Sequence, residues 1–153
     1  MVVDIMTFNP NFTGAGNVRS AQANLTSVQN NTGGTLIKGT PVRINGSGEL
    51  DVIDVSIEAE VDGTIGVVFE DILDTNFGDI VSSGRVENIT TTANVGDKVY
   101  ISKIGILTNV KPEIGVGGFL SGDFVVKIGV IVKNIDTPAN KDLVVGITTI
   151  GQL

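Results

Sequence analysis

The chain has 153 residues, a formal charge of −7, and neither cysteine, histidine nor tryptophan. Disulfides, thiolate metal sites and thiol nucleophiles are therefore excluded, and the side chain that most often serves as general base near neutral pH is missing. Aromatic residues make up 5% of the chain while glycines number 20, so the core must be built from Val, Ile and Leu on short strands separated by tight turns.

Residues 1–37 carry two charged side chains, Asp4 and Arg19, among many Asn, Thr, Ser, Gln and Gly. The opening Met1–Met6 lacks the basic and apolar regions of a secretory signal. No run reaches the ~18 apolar residues that span a bilayer. The expectation is a protein made in a cytoplasm and soluble there, without a membrane partner. Asn9-Pro10-Asn11 and Thr13–Asn17 are turn formers, and Phe8, Phe12, Val18 and Leu25 are too widely spaced for an amphipathic helix. Such a segment reads as an extended N-terminal arm. Its isolated apolar side chains, Met6, Phe8, Phe12, Val18 and Leu25, are the candidate contacts with another chain, because a wet Phe gains roughly 1.5–3 kcal/mol by finding a surface.

Residues 38–153 read as a β-domain with an internal duplication, about 38–90 and 95–153. Gly39-Thr-Pro-Val-Arg-Ile-Asn-Gly-Ser-Gly-Glu-Leu50 aligns without a gap on Gly96-Asp-Lys-Val-Tyr-Ile-Ser-Lys-Ile-Gly-Ile-Leu107. Ile65–Val68 then matches Ile128–Ile131, and Asp79-Ile-Val81 matches Asp142-Leu-Val144. Alternation predicts Val42 and Ile44, like Val99 and Ile101, on one face, with Arg43 or Tyr100 on the other. Asn45-Gly46 signals a tight hairpin. An insertion in the second copy falls within Thr108–Lys127, where Gly115, Gly117, Gly118 and Gly122 cluster. Helix is expected for at most a turn or two, near Ser56–Val61. The fold class is all-β: a small barrel or sandwich of two similar units behind the arm.

Two acidic groups, Asp51 to Asp62 and Glu70 to Asp79, could hold a hard cation, but neither has the spacing of an EF-hand loop. No carboxylate pair stands out for glycoside chemistry, and Lys98, Lys103 and Lys111 around Tyr100 suit a solvated strand surface. No phosphate loop, nucleophile elbow or zinc spacing occurs, so no catalytic, cofactor or metal residue is assigned. The acidic charge with scattered Lys and Arg disfavours nucleic acid. Binding rather than turnover is the expectation.

The segment Val95-Gly-Asp-Lys-Val-Tyr-Ile-Ser-Lys-Ile-Gly-Ile-Leu-Thr-Asn109, followed by Pro112 and Val126-Lys-Ile-Gly-Val-Ile131, resembles a pattern common in small bacteriophage structural proteins. Capsid decoration or cement proteins, and head-fibre or tail-associated β-modules, carry it. The resemblance spans roughly residues 33–150. It implies a virion location on the capsid surface, the major capsid protein as partner, and a homo-oligomer, often a trimer. It transfers no catalytic residue. A tail, collar or head-fibre attachment protein is the alternative within that class, and a carbohydrate-binding β-domain the alternative outside it.

Overall fold

The computed structural model describes residues 23–153. Nine strands and one short helix follow in chain order: β1 Ala23–Gln29, β2 Pro41–Ile44, β3 Leu50–Asp51, α1 Glu58–Asp62, β4 Thr64–Val68, β5 Phe77–Val86, β6 Lys98–Ile101, β7 Leu107–Thr108, β8 Phe124–Lys133 and β9 Lys141–Gln152. The architecture is all-β, and its one helix lies where a turn or two was expected. The strands form a single antiparallel sheet in the order β3-β2-β4-β5-β9-β8-β6-β7, with β1 added on β5. β3 and β7 end that path without meeting, so the sheet folds over as a sandwich and does not close into a barrel.

The order is a palindrome of the duplication. β2 and β6, β3 and β7, β4 and β8, and β5 and β9 occupy equivalent places, and the agreement extends to single residues. Val42 faces Gly66 and Val99 faces Gly129, each with a register shift just after the valine. Val67 faces Val81 and Val130 faces Val144. The Gly39 N–H donates to Val68 O and the Gly96 N–H to Ile131 O, both at 2.8 Å. The seam between the units is the β5/β9 ladder, where Ser83 lies opposite Gly146, its own counterpart. Antiparallel pairing of equivalent residues about one point is what a local twofold axis produces.

The two Ile-Gly-Val motifs have a steric cause. A Cβ on Gly66 would run into the Val81 carbonyl, and one on Gly129 into the Val144 carbonyl. The neighbouring strands approach so closely that only a hydrogen fits.

Both hairpins share a turn. Ser47 and Glu49 N–H donate to Asn45 Oδ1, Gly48 N–H donates to Asn45 O at 3.0 Å, and Asn45 N–H to Glu49 O at 2.8 Å. Gly105 N–H donates to Ser102 O at 3.0 Å in the second copy, and Gly48 and Gly105 both have φ of +81°. The left-handed residue is thus Gly48 rather than Gly46, and Asn45 starts the turn instead of forming its centre.

The predicted faces hold only in part. Val99 and Ile101 are buried together as expected, but Tyr100 is buried with them and Ile44 is exposed.

Two apolar clusters fill the interior. Val28, Leu36, Val42, Leu50, Val68, Ile72 and Ile80 form one inside the first unit. The larger joins Ile53, Val55, Val67 and Val81 to Val99, Ile101, Ile128 and Leu143 of the second unit. This moves the arm boundary. Residues 23–37 had been expected within the arm, yet β1 pairs with β5 of its own chain from Ala23 to Gln29, and Val28 and Leu36 are core residues. Asn30 is fully buried and bridges to Leu50 in β3. Strand pairing won over the polar composition because β1 has only to cover an existing edge: Asn24 to Ser27 remain exposed and Val28 turns inward.

Candidate functional site

The element that distinguishes the two units is the loop between β7 and β8. It carries the expected insertion, and Gly115, Gly117, Gly118 and Gly122 all adopt positive φ. Gly115 N–H donates to Phe119 O at 2.8 Å and Val116 N–H to Glu113 O at 2.9 Å, so tight turns follow one another. Pro112 and Phe119 are buried and pin the loop to the body. The aliphatic side chains around these anchors point outward: Ile114 is 60% exposed and Leu120 62%, with Val110 and Val116 also in solvent.

Lys103 holds the base of this loop. Its Nζ donates to both carboxylate oxygens of Asp123 at 2.8 Å, and the Leu120 N–H donates to Asp123 Oδ2 at 2.8 Å. Burial pushes the Asp123 pKa upward, but the hydrogen bonds from Lys103 and Leu120 outweigh it and hold the group below its ordinary value. Gly118 lies against the Lys103 side chain. The next residue of the β6–β7 turn, Ile104, is 75% exposed, more than any other large apolar side chain among the described residues.

Ile104 and Lys103 also line a cleft with Val52, Asp54, Arg43 and Glu60 of the first unit. Its charges are mutually engaged. Arg43 pairs with Asp51 at 2.8 Å and Glu60 at 3.0 Å, and Asp54 N–H donates to Glu60 Oε2 at 2.8 Å. Hydrogen bonds from the Ser56 hydroxyl and N–H lower the Asp54 pKa. Asp54, Asp123 and Asp142 are all displaced downward, whereas a general acid needs the opposite shift. The arrangement keeps carboxylates ionised and loops closed.

The acidic groups serve the same end. Lys38 pairs with Glu70 at 3.0 Å, Asp71 Oδ1 accepts the Lys38 N–H and Asp74 Oδ1 the Gly33 N–H. Among the described residues no group of three or more His, Cys, Asp or Glu side chains could hold a metal ion. None of the described helices is long and apolar enough to cross a membrane.

Of the candidate contacts, Met6, Phe8, Phe12 and Val18 lie outside the described residues, and Leu25 is half exposed on β1. The structure keeps Lys98 and Lys111 near Tyr100 but turns Lys103 away to Asp123. The outward aliphatics at Ile104, Ile114 and Leu120 were not singled out from the sequence. Their signal was available: they sit in glycine-rich turns, and the β7–β8 loop is longer than its counterpart in the first copy. No family model matches the chain, and no curated protein is similar to it.

Proposed function

We propose that this chain is a non-enzymatic structural protein of a bacteriophage virion, a capsid decoration or cement protein that docks on the major capsid protein at the shell surface. The observation that carries the reading is the inserted loop with its neighbouring turn, which displays Ile104, Ile114 and Leu120 on a tightly hydrogen-bonded frame. A monomer gains nothing by holding large aliphatics in water, whereas a docking surface does. The loop is already ordered by the Lys103–Asp123 pair, so little conformational entropy is lost on binding. The Gly-Asp-x-Val-Tyr pattern in the same unit supports the choice of partner class. A cement adds buried interface to an assembled shell and stabilises it by mass action.

The test is addition of the purified chain to shells that lack it. Binding at a fixed copy number per capsomer, with raised resistance to heat, is the expected result. Ile114→Asp with Leu120→Asp should retain the β-type circular dichroism spectrum and lose at least tenfold in affinity, since each buried aliphatic is worth roughly 1.5–3 kcal/mol. Unchanged occupancy of the variant would place the docking surface elsewhere. Binding to tails alone would favour the tail or collar reading.

A further inference from the structure

The duplicated units differ most in charge. Residues 38–90 hold eleven carboxylates and three cations, and residues 91–153 hold five carboxylates and six cations, a net of −8 against +1. The whole acidity of the chain therefore belongs to one of two similar halves.

The segregation is sharpest on the faces that the duplication makes equivalent. In the first unit that face centres on Arg43, whose guanidinium is consumed by Asp51 and Glu60. Beside it α1 carries Glu58 and Asp62, both exposed, at the i and i+4 positions of a helix without a basic residue in its last turn. Like charges at that spacing repel, and a carboxylate at a helix C-terminus opposes the dipole. This placement disfavours the isolated molecule and suits one that meets cations there.

In the second unit the residue equivalent to Arg43 is Tyr100. Lys98 and Lys111 share a shallow depression with it, and Lys127 lies opposite it on β8. Among the described residues none of these three lysines has an ion-pair partner, although other lysines of the chain do, Lys38 with Glu70 and Lys103 with Asp123. One unit thus presents unneutralised carboxylates where the other presents unneutralised ammonium groups.

We infer that the lysine face around Tyr100 of one copy docks on the acidic α1 face of a second copy, giving a head-to-tail contact between unlike units. Such a contact is heterologous, so it adds copies in one direction, as a closed ring or an open filament according to the rotation between neighbours. Its attraction is between exposed charges and is screened by salt, with a Debye length of about 10 Å at 0.1 M and about 30 Å at 0.01 M. The inference gives a contact to the homo-oligomer that the phage-protein resemblance implies, and it rests on the charge pattern, not on shell binding. Its test uses the purified full chain alone, so its failure leaves shell binding untouched.

Sedimentation equilibrium at about 0.02 M and about 0.5 M salt, where screening differs several-fold, reads the prediction. The low-salt mass should be a multiple of the 15.9 kDa chain and the high-salt mass should fall toward 15.9 kDa. A Lys98→Glu, Lys111→Glu chain and a Glu58→Lys, Asp62→Lys chain should each lose the assembly by at least tenfold in dissociation constant. Mixed together, the two variants should recover a complex, because each retains one original face and the two reversed faces complement one another. All four positions are exposed, and an unchanged circular dichroism spectrum shows that each variant is folded. A 15.9 kDa species under every condition would overturn the inference. So would an assembly indifferent to salt and to both variants.

Discussion

Gly129→Ala should be the most destabilising of three glycine substitutions in this sheet. The added methyl group would overlap the Val144 carbonyl and press on Leu143 Cδ1 at 3.1 Å, in the ladder that joins β8 to β9. Backbone cannot yield there without opening the central strand pair, and overpacking of a tight core already costs typically 1–3 kcal/mol where only side chains move. Here the cost should exceed about 3 kcal/mol, a large part of the 5–15 kcal/mol of an ordinary domain. Gly66→Ala should behave alike, because its Cβ meets the Val81 carbonyl in the equivalent ladder. Gly146→Ala is the control, since a Cβ at that position meets no atom within 4 Å. Urea midpoints of the three variants check the prediction. A Gly129→Ala protein as stable as the control would show that the two strands can separate freely.

The second large effect belongs to Asp142. Its side chain is fully buried, and it accepts hydrogen bonds from Asn134 Nδ2 and the Asn88 N–H at 2.9 Å and from Arg85 at 2.7 Å. Asp142→Ala would remove the acceptor that all three donors share and leave the Arg85 guanidinium with the Lys133 carbonyl, and removing one partner of a buried pair costs about 3–5 kcal/mol. Burial alone would raise the pKa of this carboxyl, but the bonds from Asn134, Asn88 and Arg85 dominate and hold it below its ordinary value. A group whose folded pKa is depressed contributes stability that is present above the unfolded value, about 3.9. That contribution is lost as pH falls through the folded value. The stability difference between the wild-type chain and Asp142→Asn should therefore be full at neutral pH and shrink on acidification below roughly pH 4. A difference that stays constant down to pH 2 would mean that the folded chain does not hold this carboxyl below its ordinary pKa.

Much of this fold was legible in the sequence because its signals are local and repeated. The Gly-x-x-Val-x-Ile blocks mark equivalent strands, and their agreement across two copies separated register from chance. What was not legible depends on pairing between distant residues. Asn24-Leu25-Thr26-Ser27 has no apolar alternation, and it becomes a strand only because β5 offers it an edge. Tyr100 is buried and Ile44 exposed, against the alternation within either strand. The same limit applies to the site. Asp79 and Asp142 look alike in the aligned motifs, yet the first is exposed and the second is fully buried and bonded by Arg85, Asn88 and Asn134. Only the fold, which brings Arg85 and Asn88 to Asp142, separates them.

One strand belongs to both halves. Ile80 and Val81 of β5 complete the first unit against β4, while Ser83 to Val86 pair with β9 of the second, and Ser83 and Gly84 also carry β1 on the opposite side. Tandem proteins whose repeats only stack can fray from an end, one repeat at a time. This chain cannot release one half without stripping a wall from the other, so the duplication should melt in a single cooperative transition. Amide protons should record this directly. The β5 amides that bond to β4 or β9 should exchange through global opening alone, while those of Asn24 to Ser27 on the outer strand exchange through local excursions.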